Sequence, residues 1–531
     1  MDADVLVVGG GPAGLVVANE LRVQGSSVLV VERRERGVQS RAGSVLPRVL
    51  ELLDYRGHAQ RWIDRARKIS DEPLSPVYIW AGLQPIHWGL LGGAFPYSLV
   101  VPQSETELLL LDIAREQGVE VRYGQTVTDL LQDDSGVTVT ATSANDEKHT
   151  YTARYVVGAD GGRSAVRSLA GIGFPGHDGT FTGMIADVRG DIRWPGGRVM
   201  KSNRHGWAMS FPFGPDGELT RFNIVHAERR AASKDETVTQ EEIRRTAEEI
   251  LGGQIPIDEV VWASRFDDTM RKADRLRQGR VLLVGEATRV HYPASGVGMN
   301  FCIQDAFNLG WKLGKVVRGE AADALLDSYE AERLPIIDGL LESVRAQLAV
   351  QFDFSEQGAA LRTVIERDLL PQPDMNRALG RQLLGLTSAY PTVPGGHAFE
   401  GRPVPEAAVQ AADGLHRVAS LLAEGDFVLL DLSRQNVFPQ TVRSTRVVRG
   451  VLSAPSTDLQ GVTALLIRPD GYVQWASDAA RPNADAALAA LDRLLDGSET
   501  EASVDTATAP SSAGSSSATS SSAAPAEAVV A

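Results

Sequence analysis

The stretch Asp4–Gly14, with the sequence DVLVVGGGPAG, decides the fold of the first part of this chain. Its apolar run Val5–Val8 has the length and composition of a strand that is buried on both faces of a parallel sheet. Three glycines follow at the spacing GxGxxG, and Leu15–Arg22 then has the pattern of a helix. The stretch therefore predicts a strand, a glycine turn and a helix, in that order.

Each residue of the glycine turn has a physical role. Gly9 permits the tight turn, Gly11 lets a pyrophosphate approach the backbone, and Gly14 lets the helix pack closely on the strand. Pro12 and Ala13 open the helix, where free N–H groups and the helix dipole favour a phosphate. We therefore expect a dinucleotide-binding unit of the Rossmann type.

A second apolar run, Val28–Val31, ends in Glu32, which is placed to accept hydrogen bonds from the ribose hydroxyls of an adenosine. Arg33 and Arg34 follow, and they do not by themselves choose between FAD and NADPH. Because strand, glycines, helix, second strand and acid come in this order, a nucleotide site is favoured over a purely structural glycine turn.

The composition limits the kinds of partner. The 531 residues include 53 basic and 68 acidic ones, a net charge of −15, so we expect neither a nucleic acid nor an anionic membrane as partner. No apolar run has the length of a spanning helix, and we expect no signal or transit peptide. Cys302 is the only cysteine, which rules out disulfides within the chain and fits a reducing cytoplasm.

Two further landmarks lie far along the chain. The strand-like Tyr155–Val157 leads into Asp160-Gly161, which alone would be only a turn. The strand-like Gly279–Val284 leads into Gly285-Glu286 and then into a glycine-containing loop before a helix predicted over Cys302–Val317. Glycines ahead of a helix start again offer backbone N–H groups to an electron-rich group.

Other stretches differ in character from these landmarks. Residues 74–101 are aromatic and β-prone, and alternation from Phe181 to about Trp262 indicates a β-rich domain inserted into the first, with one helix over Gln240–Leu251. A single helix is predicted from Val49 to about Ala66. The chain from Gly497 onward is rich in Ser, Ala and Thr, so we expect it to be disordered.

Together the three landmarks resemble the single-component FAD-dependent aromatic hydroxylases, the class A flavoprotein monooxygenases. The branch that oxidises polycyclic aromatic polyketides and ansamycin-type antibiotics looks most similar, over nearly the whole chain to about residue 495. The resemblance implies an α/β fold: a Rossmann-like FAD-binding domain of the glutathione-reductase type, an interleaved β-sheet substrate domain, and a C-terminal thioredoxin-like domain without CxxC.

The expected boundaries follow from the composition changes and this resemblance. The FAD-binding domain takes residues 1–73, 102–175 and 270–320, and the substrate domain takes 74–101 and 176–269. A helical connection over 321–390, a thioredoxin-like domain over 396–496 and a disordered tail over 497–531 complete the chain. We expect the thioredoxin-like domain to be structural or to serve oligomerisation, in a monomer or homodimer.

The motif and the resemblance assign the cofactor contacts residue by residue. Arg41 and Gln103 match positions at the phosphate and ribityl region, Asp160 lies between FAD and the NAD(P)H docking site, and Glu286 faces the ribityl hydroxyls. The full expected set is Gly9, Gly11, Pro12, Ala13, Gly14, Glu32, Arg33, Arg41, Gln103, Asp160, Gly161, Gly285, Glu286, Pro293, Gly296, Gly298, Met299 and Asn300. The family usually has Asp at Glu286, His at Arg289 and Gln at Val297.

The resemblance also implies the reaction. NADPH or NADH reduces FAD, O₂ reacts with it, and a C4a-hydroperoxyflavin delivers one oxygen atom to a polycyclic aromatic ring; no metal is expected. Pro293 would lie beside the substrate, and His291 is a candidate proton relay, although holding the loop is its alternative role. The aromatic and apolar candidates for the substrate pocket are Trp80, Trp88, Phe95, Tyr97, Met209, Phe211 and Phe222.

Three other functions stay open at this point. A Baeyer–Villiger or ring-opening oxygenase uses the same cofactor chemistry on the same substrate class. The stretch Gly206–Pro212 partly matches the GWxWxIP signature of flavin halogenases, but Met209 replaces the second Trp. A non-catalytic FAD-binding protein is the alternative that is not an enzyme.

Overall fold

The computed structural model describes residues 1–35, 42–70, 72–214, 217–229, 233–453 and 458–497. Arg41 and nearly all of the tail expected to be disordered lie outside these residues. The largest sheet is built around Ala3–Val8, whose side chains are buried except for a half-buried Asp4. Its neighbours on the two sides, Val28–Val31 and Lys148–Gly158, both run parallel to it, as the unbroken apolar runs predict.

Eight strands form this sheet within the described residues. Their order is Arg277–Gln278, Val281–Leu283, Lys148–Gly158, Ala3–Val8, Val28–Val31 and Glu120–Arg122, with Val137–Ser143 and Gln125–Gln132 added beside Lys148–Gly158. The helices that pack on the sheet and on one another are Pro12–Val23, Gln103–Glu116 and Gly298–Val317. The parallel strands all end at one edge of the sheet, where ligands of such folds bind.

Helix boundaries differ from the sequence prediction in two places. The single helix expected over Val49–Ala66 is wrong, because the chain forms Pro47–Tyr55 and Ala59–Ile69 with Gly57 between them at φ +73°. The left-handed conformation of Gly57 ends the first helix. The helix expected from Cys302 begins at Gly298 instead.

The helical connection is dominated by the long helix Asp327–Gln351, which follows the short 3₁₀ turn Asp323–Leu326. The helix Glu356–Val364 continues as one π-helical turn, Ile365–Leu369. A further helix, Pro373–Leu383, was not predicted from the sequence.

The second large sheet is antiparallel and belongs to the β-rich insertion. Its strands are ordered Val199–Asn203, Gly206–Phe213, Leu219–His226, Thr182–Arg189 and Glu259–Asp267. The predicted helix Gln240–Leu251 is confirmed, and it covers one face of the sheet with a hydrophobic core of its own. On the other face, Trp207 and Val225 belong to the main core that runs through the rest of the molecule.

Phe222 lies on the helix-covered face of this sheet. The register pairs Phe211 with Arg221 and Ser210 with Phe222, so Phe222 points away from the face that carries Met209 and Phe211. Its ring is fully buried against Ile224 and the helix. The prediction that Phe222 shares a substrate-facing surface with Met209 and Phe211 is therefore wrong.

Several short elements lie between the larger ones along the chain. Two strands, Val77–Trp80 and Leu83–His87, form the 77–87 hairpin. Two small sheets are formed by Ser44–Val45, Ser98–Val100 and Leu74–Ser75, and by Gly176–His177, Met270–Lys272 and Arg289–Val290. The short helical turns are Trp88–Leu91, Ala165–Leu169, Pro195–Gly197, Gly285–Ala287 and Ala294–Gly296.

The C-terminal domain has a mixed sheet of its own. Its strands are ordered Gly414–Arg417, Ala408–Ala411, Thr445–Leu452, Phe427–Asp431, Ala464–Ile467 and Val473–Ser477. The strand Phe427–Asp431 runs parallel to Thr445–Leu452, and the other pairs are antiparallel. Its helices within the described residues are Val418–Leu421 and Ala484–Asp496.

A buried ionic cluster joins this domain to the long helices. Arg468 binds Glu332 at 2.7 and 2.9 Å and Asp470 at 2.7 Å, and Lys312 binds Glu332 at 2.7 Å. Burial raises the pKa of Glu332, but Arg468 and Lys312 outweigh it and hold that pKa at about 2. Since removing one partner would leave a buried charge unpaired, the cluster fixes how the C-terminal domain docks.

Across the described ranges, none of the helices is both long and apolar enough to cross a bilayer.

Candidate active site

The glycine turn lies at the carboxyl edge of the first sheet, where its glycines meet close backbone neighbours. A Cβ on Gly14 would come within 1.9 Å of the Gly9 carbonyl oxygen, and one on Gly9 within 2.4 Å of the Ala159 oxygen. A Cβ on Gly11 would meet nothing within 4 Å. Gly9 and Gly14 are therefore required by packing, whereas Gly11 borders open space that a ligand can fill.

The helix Pro12–Val23 begins at this space. Pro12 stands in its first turn, and the N-cap residue Gly11 has no side chain to satisfy the first N–H groups. Ala13 lies close to Gly285 of the third landmark, since a Cβ built on Gly285 would lie 2.9 Å from the Cβ of Ala13. An uncapped helix start beside open space fits the pyrophosphate of a dinucleotide.

Glu32 is buried beside the turn and is held by three N–H groups. One carboxylate oxygen accepts from the Gly10 amide at 2.6 Å, and the other accepts from the Arg34 amide and Nε at 2.8 and 3.0 Å. Burial raises the pKa of Glu32, but these hydrogen bonds outweigh it and lower the pKa overall. The carboxylate stays charged and has lone pairs left for ribose hydroxyls, whereas Arg33 is exposed.

Gln103 holds the segment that follows the undescribed residues 36–41. Its backbone N–H donates to the Ala42 oxygen at 2.9 Å, and its side-chain oxygen accepts from the Ala42 amide at 3.4 Å. The Gln103 amide nitrogen donates to Glu107 at 2.8 Å. Arg41, expected to touch the phosphate, precedes this anchored residue but lies outside the described residues.

Asp160 and Gly161 lie directly against the glycine turn. One Asp160 oxygen accepts from the Ser164 hydroxyl, and the other accepts from the Ala165 and Val166 amides at 2.7 and 3.1 Å. Gly161 adopts φ +81°. Asp160 therefore orders the turn beside Gly9 by capping the helix Ala165–Leu169, and its role between FAD and NAD(P)H stays a prediction.

Two positions at which this chain departs from the family pattern, Glu286 and Arg289, lie in or next to the third landmark. Glu286 is exposed at the site edge. Arg289, where the family commonly has His, is fully buried and turned into the core, where its guanidinium pairs with Asp305. Asp305 also accepts from Arg333 at 2.7 Å. The guanidinium of Arg289 is thus held inside the protein by a carboxylate that it shares with Arg333.

The 291–298 loop leads from this landmark into the helix Gly298–Val317. Pro293 and Gly296 are exposed on it, and Met299 is buried at the helix start. Asn300 is fully buried, and its carboxamide accepts from the Leu46 amide at 2.8 Å and donates to the Ser44 oxygen at 3.1 Å. Asn300 therefore fixes the helix start against the strand Ser44–Val45.

His291 is half-buried at the start of this loop. Its Nδ1 lies 2.7 Å from the Tyr292 carbonyl oxygen, which can only accept, so Nδ1 carries the hydrogen. Burial lowers the pKa of His291 to about 4. The ring is therefore neutral near pH 7 and a weak base, which supports the loop-holding role more than proton transfer.

The expected substrate residues divide between two places. Met209 and Phe211 are half-buried on the sheet face that also carries Trp207 and Phe213, and Phe213 lies 3.9 Å from a Cβ built on Gly43. Phe95 lines a separate cavity of about 460 Å³, and it packs edge-on against Tyr97 at 6.1 Å. That cavity is formed with helix residues and Arg417, so the structure does not bring Phe95 to the sheet face.

Trp80 lies in the 77–87 hairpin, and Trp88 follows it directly. The Trp80 indole N–H donates to the Gln382 side-chain oxygen at 3.0 Å, which orients a nearly buried ring. Trp88 is fully buried with its ring centre 5.2 Å from that of Tyr78. Trp88 is therefore a core residue, and Trp80 is held by a specific polar contact.

An aromatic cluster beside the loop was missed from the sequence. Tyr292 packs against Phe352 at 5.3 Å and Phe266 at 5.6 Å, and Phe352 also meets Phe181 at 5.2 Å and Trp207 at 6.2 Å. A cavity of about 600 Å³ opens beside Phe181 and Phe352. These rings come from stretches far apart in the chain, so only their aromatic type was visible in the sequence.

Two family models together match most of the chain. A family model described as an FAD binding domain matches residues 2–344, and one described as the C-terminal part of aromatic-ring hydroxylases matches 397–498. The chain is 38% identical over 490 residues to the 12-dehydrotetracycline 5-monooxygenase/anhydrotetracycline 6-monooxygenase of Streptomyces rimosus, covering 90% of this chain and 95% of the relative.

Two further similar proteins differ in activity. CabE, an aromatic hydroxylase from angucycline biosynthesis, superposes with a TM-score of 0.82 at 34% identity, covering 94% of this chain and 99% of its own. The dialkyldecalin synthase of Streptomyces rugosporus is 32% identical over 487 residues, covering 90% of this chain and 96% of the relative.

Proposed function

This chain belongs to the single-component FAD-dependent aromatic-ring hydroxylases, and from that premise we propose that it hydroxylates a polycyclic aromatic substrate with O₂ and NADPH or NADH. It is an FAD-dependent monooxygenase with the α/β fold expected of the family. The observation that carries the proposal is the open space at Gly11, where three separate stretches meet at the carboxyl edge of the sheet.

The residues present fit FAD. Bound FAD supplies the electron transfer and the oxygen activation, which amino-acid side chains do not provide by themselves. Gly11 and the first turn of the helix Pro12–Val23 would hold the pyrophosphate, and charged Glu32 would accept from the ribose. The backbone of Gly298 and Met299, at a helix start that has no side-chain cap, would face the electron-rich edge of the ring system.

Other residues keep the site dry and ordered. Tyr292 and Phe352 are buried, and their rings pack against each other beside the 291–298 loop, where they would limit the access of water. Excluding water protects a reactive oxygen species from unproductive breakdown and strengthens local electrostatics. His291 holds the loop through its bond to the Tyr292 carbonyl and takes no proton near pH 7.

The sheet face around Met209 supports a flat apolar substrate. Trp207, Met209 and Phe211 lie on the same side of the strand Gly206–Phe213 as Phe213, whose ring lies 3.9 Å from a Cβ built on Gly43. Apolar walls with few polar groups are typical of pockets for small aromatic ligands. One relative is named for its action on anhydrotetracycline, and another is named as an aromatic hydroxylase from angucycline biosynthesis. These names support fused aromatic rings as the substrate class.

The reductant must use a transient site. The sequence contains one complete nucleotide fingerprint, at Gly9–Gly14, and FAD would occupy it. We therefore propose that NADPH or NADH docks only briefly, near Asp160. We also propose that the protein works in the cytoplasm, as a monomer or homodimer, which its single cysteine and acidic net charge support.

Mass spectrometry under ¹⁸O₂ tests the reaction directly. With NADPH and a panel of polycyclic phenols and quinones, we expect a product that carries one ¹⁸O atom as a hydroxyl. A Baeyer–Villiger or ring-opening product would also gain one ¹⁸O, but alkaline hydrolysis would add the elements of water to its lactone. An isomer of unchanged mass, formed without NADPH, would contradict the proposal.

A further inference from the structure

Two residues that are not glycine adopt left-handed backbone conformations near the site. Ser295, in the 291–298 loop, has φ +50°, and Ala81, at the tip of the 77–87 hairpin, has φ +52°. Both are buried. Such conformations cost about 1 kcal/mol or more each and persist only where surrounding contacts hold them, which is common at functional sites.

One side chain holds both residues. The oxygen of the Gln347 carboxamide accepts from the Ser295 hydroxyl at 2.6 Å and from the Ala81 amide at 3.1 Å. The Gln347 nitrogen donates to the Ser343 hydroxyl at 3.1 Å, one turn earlier on the helix Asp327–Gln351. Gln347 is almost fully buried, so these bonds form away from water.

The geometry requires an acceptor at this position. A carbonyl oxygen has two lone pairs, which match the two donors that arrive from the loop and the hairpin. A Cβ on Gly296 would lie 3.5 Å from the Tyr78 hydroxyl, so the loop and the hairpin also approach each other closely at this point. At the far end of the loop, the carboxamide of Asn300 ties the helix start to Ser44 and Leu46.

We propose that Gln347 is a positioning residue that sets the distance between the cofactor-facing loop and the substrate-facing hairpin. This proposal rests on the proposed function, because the loop carries the backbone that would face FAD. The hairpin carries Trp80, which is one of the candidates for the substrate pocket. Gln347 touches neither ligand and acts through Ser295 and Ala81. A misplacement of about 1 Å, even through a contact away from the reacting atoms, can cost about 100-fold in rate.

The test compares two substitutions on the same helix. Gln347→Met keeps the length of the side chain and removes the acceptor. Gln351→Met is the control, because Gln351 is also buried one turn further on, with its Cγ 3.3 Å from a Cβ built on Gly82 of the same hairpin. Gln347→Glu retains acceptor oxygens and is expected to restore part of the lost function.

The first readout needs no cofactor. In hydrogen–deuterium exchange of the apoprotein, Gln347→Met should speed exchange in peptides from both 77–87 and 291–298 by roughly fivefold, the factor for one lost hydrogen bond. Gln351→Met should leave the 291–298 peptides unchanged. Wild-type exchange in both segments of Gln347→Met would overturn the proposal.

The second readout is coupling in the flavin-loaded enzyme. Gln347→Met should divert NADPH oxidation from product to hydrogen peroxide by roughly fivefold, with KM for the substrate little changed. Faster exchange with unchanged coupling would show a structural role only and would overturn positioning. If Gln347→Met fails to fold, Ser295→Ala removes one donor and should move both readouts in the same direction. Absence of any oxygenated product from the wild type would instead refute the proposed function.

Discussion

The turn around Gly11 and the sheet face around Met209, which we propose as the two halves of one active site, are built in different ways. At the turn, the important residues lack side chains, and the backbone makes the surface that the cofactor would touch. At the sheet face, the backbone is an ordinary strand and the side chains make the surface. One methyl group is therefore decisive at the turn, whereas at the face its effect is graded.

The largest effect is expected at Gly14. Gly14→Ala would place a Cβ 1.9 Å from the Gly9 carbonyl oxygen, a backbone atom that cannot move aside. We expect a loss of about 4 kcal/mol or more in the free energy of unfolding, which unfolds many proteins. Gly339→Ala, in an open position of the helix Asp327–Gln351, is the control and should be neutral or stabilising. Wild-type melting of Gly14→Ala would contradict the packing account.

Gly11→Ala separates folding from cofactor binding. The new methyl group meets no protein atom within 4 Å, so the apoprotein should melt as the wild type does. The same methyl occupies the space of the pyrophosphate, so FAD affinity should fall on the order of 100-fold. Absorbance of the purified protein at 450 nm and flavin titration measure this. Wild-type flavin retention would refute the assignment of the turn.

Met209→Ala should change the substrate side alone. Losing the side chain removes apolar contact with a flat ligand, so KM should rise roughly tenfold while flavin content stays constant. Phe222→Leu, on the opposite face of the same sheet, is the matched control. It should lower stability by about 1 kcal/mol and leave KM unchanged. Equal KM changes in both variants would contradict the register of the sheet.

A smaller effect is expected from His291 and pH. Burial lowers its folded-state pKa to about 4 from the usual 6.5, so between these pH values the unfolded chain binds the extra proton. The contribution of His291 to stability is therefore complete above pH 6.5 and is lost as the pH falls toward 4. Melting temperatures at pH 7 and pH 5 should differ less in His291→Gln than in the wild type. An equal difference in both proteins would show that His291 is not buried in this way.

The two halves also differ in how well the sequence predicts them. Gly9, Gly14 and Glu32 were predictable because a backbone turn limits the residue types that fit it, and the limits are local. The convergence of Asp160 and Gly285 on this turn followed from parallel strands ending at one edge of the sheet. Arg289 was noticed as a departure, but its burial against Asp305 was not visible from its neighbours in the chain.

Side-chain surfaces depend on long-range register, which single positions do not reveal. Met209 and Phe222 were both apolar residues of β-rich stretches, and only the pairing of Ser210 with Phe222 placed them on opposite faces. Gln347 lies on a helix, and the sequence pattern of that helix does not indicate its hydrogen bonds with Ser295 and Ala81. The helix break at Gly57 was missed because one glycine can be tolerated within a helix.

The rate of flavin reduction tests the central claim most directly, because it requires FAD, the reductant and the substrate face together. Since NADPH lacks a fingerprint of its own, hydride transfer should wait for substrate to bias the cofactor position. In stopped-flow absorbance, a polycyclic phenol should speed reduction by NADPH on the order of 100-fold, equivalent to about 2.7 kcal/mol of differential affinity. Equal rates with and without a substrate that is oxygenated would contradict this account.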